Sequence, residues 1–181
     1  MKVRECGTPQ ESKMCRTDPA PNRADLGFPD AVLTAFDFLT KAYDFHLETL
    51  TPTFVRYESP RVFVNIYHGR SSFELGFEGG LRSNDPGKEE IAFSLGDIID
   101  LRRTKDGTLY ARPQASTAQS VRSLVPKLAD LVRTYADPVL RGDPEIFTQL
   151  AWIQTKKSDE LLNEWRLREL REKGRIGVAE M

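Results

Sequence analysis

Three short runs between Thr53 and Glu78 constrain the fold more than any other part of this 181-residue chain. They read TFVRYE, RVFVNIYH and SSFELGFE, separated by turns at Ser59-Pro60 and Gly69-Arg70. Each is rich in β-branched and aromatic residues, the types that suit a pleated, half-buried surface. Val62, Val64 and Ile66 alternate with Phe63, Asn65 and Tyr67, while Phe73, Leu75 and Phe77 alternate with Ser72, Glu74, Gly76 and Glu78. Period two with charge on one side predicts a sheet with one face on a core and the other open. The connections are too short for a crossover helix, so the runs form an antiparallel meander.

The flanking sequence supplies the cover for that sheet. Val32, Phe36, Leu39 and Tyr43 recur at helical spacing, which predicts one amphipathic helix from Asp30 to about Glu48, with Pro29 tolerated in its first turn. After a turn-rich stretch at 79–87, Glu90 to Ser94 reads as a fourth strand with Ile91 and Phe93 inward. Ser94 is the expected N-cap of a short helix through Leu101, and Thr108 to Ala111 is a further strand or a connector. Ser116 or Thr117 caps a helix whose apolar stripe is Val121, Leu124, Val125, Leu128, Leu131, Val132 and Tyr135. Asp137-Pro138 stops it, and Asp143-Pro144 starts another that buries Ile146, Phe147, Leu150, Ala151 and Ile153. The predicted class is α+β: an antiparallel meander of about four strands, with the N-terminal helix and the C-terminal helices on one face.

Residues 1–27 hold hardly any large apolar side chains and are expected to be a disordered tail, since little burial is available to offset ordering entropy. Residues 28–155 then form a single domain, and 156–181 a charged helical extension that either continues the preceding helix or docks separately through Trp165. No apolar run approaches the ~18 residues of a membrane span, and the first residues lack the apolar stretch of a secretion signal, so a cytoplasmic location is expected. Cys6 and Cys15 match no zinc or redox spacing. Charge is unevenly spread: residues 28–100 carry six Lys/Arg against twelve Asp/Glu, and residues 101–181 fifteen against eleven. An acidic sheet half suits a basic protein partner and not a nucleic-acid backbone.

No phosphate-binding glycine loop, nucleophile elbow or metal-ligand spacing is present, so no cofactor and no metal are expected. His46 lies between Asp44 and Glu48 and reads as a solvated or capping histidine. His68, beside Gly69-Arg70, could act as a base with an anion clamp, but a tight hairpin turn is reason enough for that tetrapeptide. Glu74 and Glu78 form a row about 13 Å long on one strand face, wide for a glycosidase pair. Interleaved signs after Lys156 mark a solvated helix surface.

The helix, the meander and the later VLRGDPEIF together resemble small bacterial proteins, some of them similar to immunity proteins of polymorphic toxin systems. The resemblance spans residues 30–150 and rests on Phe54, Tyr57, Glu58, Val64, Tyr67, Gly69, Leu75, Gly76, Leu140, Arg141, Gly142 and Asp143, none of which is a chemical motif. It implies an inhibitor that binds a toxin, often through an acidic face, and it transfers no catalytic residues.

The function expected is therefore non-enzymatic protein binding, with no role for nucleic acid or membrane. The candidate contact residues are Tyr57, Glu58, Asn65, Tyr67, His68, Arg70, Glu74 and Glu78, read as outward-facing polar or aromatic heads on the open face and hairpins. Two alternatives stand beside it: a small hydrolase or ligand-binding enzyme using His68 and Arg70, and an assembly subunit that oligomerises through the C-terminal helix around Trp165.

Overall fold

The computed structural model describes residues 23–69, 71–83, 85, 87, 89–102 and 110–172. Arg70 and residues 1–22 lie outside the described residues, as do most of the segment 103–111 and the chain after Glu172.

The meander is present and has five strands in sequence order: β1 (His46–Thr51), β2 (Phe54–Glu58), β3 (Val62–His68), β4 (Leu75–Leu81) and β5 (Ala92–Ser94). Every neighbouring pair is antiparallel. The strand beyond the four expected is β1, which the helical spacing had absorbed. The predicted helix 30–48 is instead two short helices, α1 (Phe28–Ala35) and α2 (Asp37–Ala42), parted at Phe36. Asp44 then takes a left-handed backbone, φ 58°, a conformation that short polar side chains tolerate best. The reversal lets buried Phe45 donate its N–H to the Leu39 carbonyl at 3.1 Å. From His46 onward the chain pairs with β2, with a bulge between Leu47 and Thr49. The apolar spacing through Tyr43 is helical; Leu47 and Leu50 belong to an exposed edge strand.

All helices described gather on one side of the sheet. Val32, Phe36 and Leu39 meet Val55, Tyr57, Val64, Ile66, Leu75 and Phe77 in a common core. Val121, Val125, Leu128 and Val132 join it from α4 (Ala118–Tyr135). Thr117 is the cap of α4: its side chain accepts from the Ser120 N–H at 3.1 Å, and Ser120 returns the bond to the Thr117 N–H. Ser94 caps α3 (Leu95–Arg102), accepting from the Asp97 N–H at 3.2 Å and donating to its carboxylate at 2.7 Å. After a one-turn α5 (Asp137–Leu140), Asp143 caps α6 (Pro144–Glu172) through the Glu145 N–H. Since α6 is one helix across the expected boundary at residue 155, the charged extension continues it, and Trp165 docks on nothing described.

Of the tail expected through residue 27, the described part, residues 23–27, is structured and not disordered. Arg23–Leu26 form a 3-10 turn with Leu26 buried. Arg23 donates to the Gly69 carbonyl at 2.6 Å and lies 4.2 Å above the Phe73 ring. This cationic side chain ties the stretch to the β3–β4 hairpin, a feature that composition alone does not register.

Candidate functional site

Alternation sorts the meander residues into two sets. Val55, Tyr57, Val62, Val64, Ile66, His68, Leu75 and Phe77 face the helices and are buried. Phe54, Arg56, Glu58, Phe63, Asn65, Tyr67, Gly76, Glu78 and Gly80 lie on the opposite side, which no described helix covers. Cross-strand register aligns Thr49, Arg56, Asn65, Glu78 and Ser94 in a polar row over all five strands. Rows on either side run Phe54, Tyr67, Gly76 and His46, Glu58, Phe63, Gly80, Ala92.

Arg56 is the centre of this face. Its Nε donates to Glu58 at 2.7 Å, one terminal nitrogen to Glu90 at 2.6 Å and the other to the Asn65 carbonyl oxygen at 3.4 Å. The guanidinium lies 4.3 Å from the Phe63 ring centroid, a cation–π stack. Phe63 is only 1% exposed although no described helix covers its side of the sheet, because Arg56 roofs it. Gly80 lies against the edge of that ring and the Ile91 carbonyl, where a Cβ would collide with both. Arg82 reaches the second oxygen of Glu58 at 3.0 Å, so two guanidiniums hold a carboxylate that is 8% exposed. Burial alone would lower the Arg56 pKa, but the bonds to Glu90 and Glu58 outweigh it and raise it.

The other half of the face is built on Tyr67. Its ring lies across Gly76, in the space a side chain there would fill. Burial and then the neighbouring Glu78 charge push the phenol pKa up, so the hydroxyl stays protonated and able to donate. Glu74 lies 3.9 Å from Arg112 on the segment that borders β4, where Leu75 N–H bonds to Pro113 and Ala115 N–H to Phe73.

The structure brings Glu58, Asn65, Tyr67, Glu74 and Glu78 together on the open side and separates two of the predicted residues from them. Tyr57 is a core residue beneath the sheet, and His68 is 1% exposed on the helix side, its ring 5.5 Å from Phe28 and 5.8 Å from Phe73. The outward reading of those two is corrected by the pleat: Tyr57 neighbours Glu58 and His68 neighbours Tyr67, and adjacent strand residues cannot share a face. Glu58 is outward in phase but sealed by its ion pairs. Arg70 falls outside the described residues. Arg56, Arg82 and Glu90 were not singled out from sequence; Arg56 was in phase with Asn65 and Glu78, but only the register shows that the three align.

His68 does not present a solvent-facing base. Its Nε2 lies 2.8 Å from the Ala115 carbonyl, which can only accept, so that nitrogen carries the proton. Burial lowers the imidazole pKa, only partly offset by that bond, and keeps the ring neutral. His46, Glu48 and Glu58 each place a ligand-type atom within 4.8 Å of the others. The donor set does not fit a metal, because Glu58 already spends both oxygens on Arg56 and Arg82. No helix among the described residues is long and apolar enough to cross a membrane. Comparisons of the chain with protein-family models, with curated proteins and with solved structures found no match.

Proposed function

We propose that the protein acts by binding another protein through the open face of its sheet, in the manner of an immunity-type inhibitor that covers a toxin. The observation that carries this reading is a five-stranded surface whose second face is free of described helices yet already ordered by side-chain bonds. A pre-ordered surface loses little side-chain entropy on association, which favours affinity. Phe54 and Tyr67 supply half-buried aromatic area, and Asn65 and Glu78 supply polar groups beside it.

The partner is basic. Around Arg56, Arg82 and Arg112 stand Glu48, Glu58, Glu74, Glu78 and Glu90, and those arginines form ion pairs with Glu58, Glu74 and Glu90. A surplus of carboxylate steers a cationic protein and repels a phosphate backbone. In this reading Tyr67, Asn65, Glu74 and Glu78 touch the partner, while Tyr57 and His68 support the sheet from beneath. The protein needs no cofactor, performs no catalysis and works in the cytoplasm.

Affinity capture of the full chain from its host, read by mass spectrometry, tests this. A stoichiometric basic protein is expected, lost on Glu74→Lys/Glu78→Lys and retained on charge reversal at exposed Glu145 behind the sheet. Capture unaffected by the open-face pair sinks the proposal. The hydrolase alternative is checked with His68→Ala: a folded variant that loses biological activity while still capturing the partner favours it.

A further inference from the structure

We propose that the second half of α6, from Ser158 on, pairs antiparallel with the same helix of a second copy of this chain. This goes beyond the open-face reading and uses a different surface. The first half of α6 is held: Phe147 and Leu150 are buried, and Lys157 bonds to Asp97 at 2.8 Å and Asp100 at 3.2 Å on α3. Beyond Lys157 every residue from Ser158 to Arg168 is exposed. At 1.5 Å per residue, the stretch from 158 to 172 extends roughly 22 Å past Lys157.

That stretch carries large apolar side chains in open solvent: Leu161 is 65% exposed, Leu162 54% and Trp165 63%. Their i, i+1, i+4 spacing sets all three on one helix face, whereas exposed Leu167 points away. A solvated helix of this length is marginal by itself, and its stability usually comes from burying such a face.

The charges select a second copy and its direction. Asp159, Glu160 and Glu164 precede Trp165, whereas after it Arg166, Arg168 and Arg171 outnumber Glu169 and Glu172. An antiparallel pair crossing near Trp165 sets the acidic half of each helix against the basic half of the other. Glu164 then faces Arg168 of the second copy on both sides of the crossing, and the two Trp165 rings meet near the axis. A parallel pair would set like against like and bring the two folded bodies to the same end. Such an isologous contact is self-complementary, as two-fold dimers require. It is small: one tryptophan and two leucines per copy fall short of the ≈ 1,000 Å² of a stable interface, so the dimer forms in the micromolar range or weaker.

Sedimentation equilibrium of the full chain across a wide concentration range is the test. Association to a dimer is expected, weakened at least about tenfold by Trp165→Glu or by Leu161→Glu, since a buried tryptophan is the usual anchor of such contacts. Both positions are exposed in the single chain, so circular dichroism should show each variant folded. Glu164→Arg and Arg168→Glu should each weaken self-association, and an equimolar mixture of the two should restore it as a heterodimer. Pairing of Glu164 with Arg168 inside one helix cannot produce that rescue. A chain that stays monomeric throughout, a dimer indifferent to Trp165, or a mixture no better than its components overturns the proposal. A monomer would leave the stripe to a partner of another kind.

Discussion

The two faces of this sheet are built from the same strands by opposite means. On the helix side, apolar side chains from α1, α2, α4 and α6 exclude water, and even the one buried imidazole sits between aromatic rings. On the open side, a buried aromatic ring, Phe63, is shielded by a guanidinium, which is in turn held by two carboxylates and an amide. Arg56 can do this because its planar head lies flat on the ring and bonds outward in its own plane. The difference teaches that a strand face with no helix over it need not be a loose solvated surface. It can be closed by side chains that remain able to meet a partner.

Perturbing each face should show how unequal they are. Phe28→Ala removes a fully buried ring stacked on His68 and should cost about 3–5 kcal/mol in chemical denaturation. Arg56→Met keeps a chain over Phe63 but leaves Glu90 with the Ser83 N–H and no compensating charge from Arg56, and Glu58 with Arg82 alone, and a loss of about 1–3 kcal/mol is expected. If Arg56→Met proved as costly as Phe28→Ala, the open face would be a second core and not a working surface.

The helix side also carries a pH dependence of its own. His68 has a folded-state pKa below its unfolded one, so below about pH 6.5 the unfolded chain takes up a proton that the folded chain refuses. Stability therefore falls as pH drops from there towards the folded pKa, by at most about 1.4 kcal/mol per pH unit, and levels off beneath it. Denaturation curves of His68→Gln should be flatter over that window. The depressed carboxyls of Asp97 and Asp137 act separately and lower, losing their contribution as pH falls below the usual carboxylate range. Smallest of all, Glu78→Gln on the open face should change stability by no more than about 0.5 kcal/mol. A larger loss there would mean that Glu78 serves the fold and not a partner.

Period two in 62–68 and 73–78 was enough to state that these runs have two unlike faces, because the pleat sends adjacent side chains to opposite sides, and the short turns between them require antiparallel pairing. The stripe of 121–135 and the caps at Ser94, Thr117 and Asp143 likewise identify their helices, since capping and amphipathic spacing are local. Where two readings shared one pattern, only the tertiary structure decided. Val32 to Tyr43 fits a single helix equally well as two, and the turn at Asp44 that frees β1 depends on Phe45 being buried and on β2 offering an edge. Exposure on the open face was out of reach for the same reason. Phe63 and Glu58 have outward phase, and what buries them is Arg56, Arg82 and Glu90, whose meeting depends on strand register and on the return of the chain after β4. Spacing along the chain determines which way a side chain points; contacts between distant segments determine whether water still reaches it.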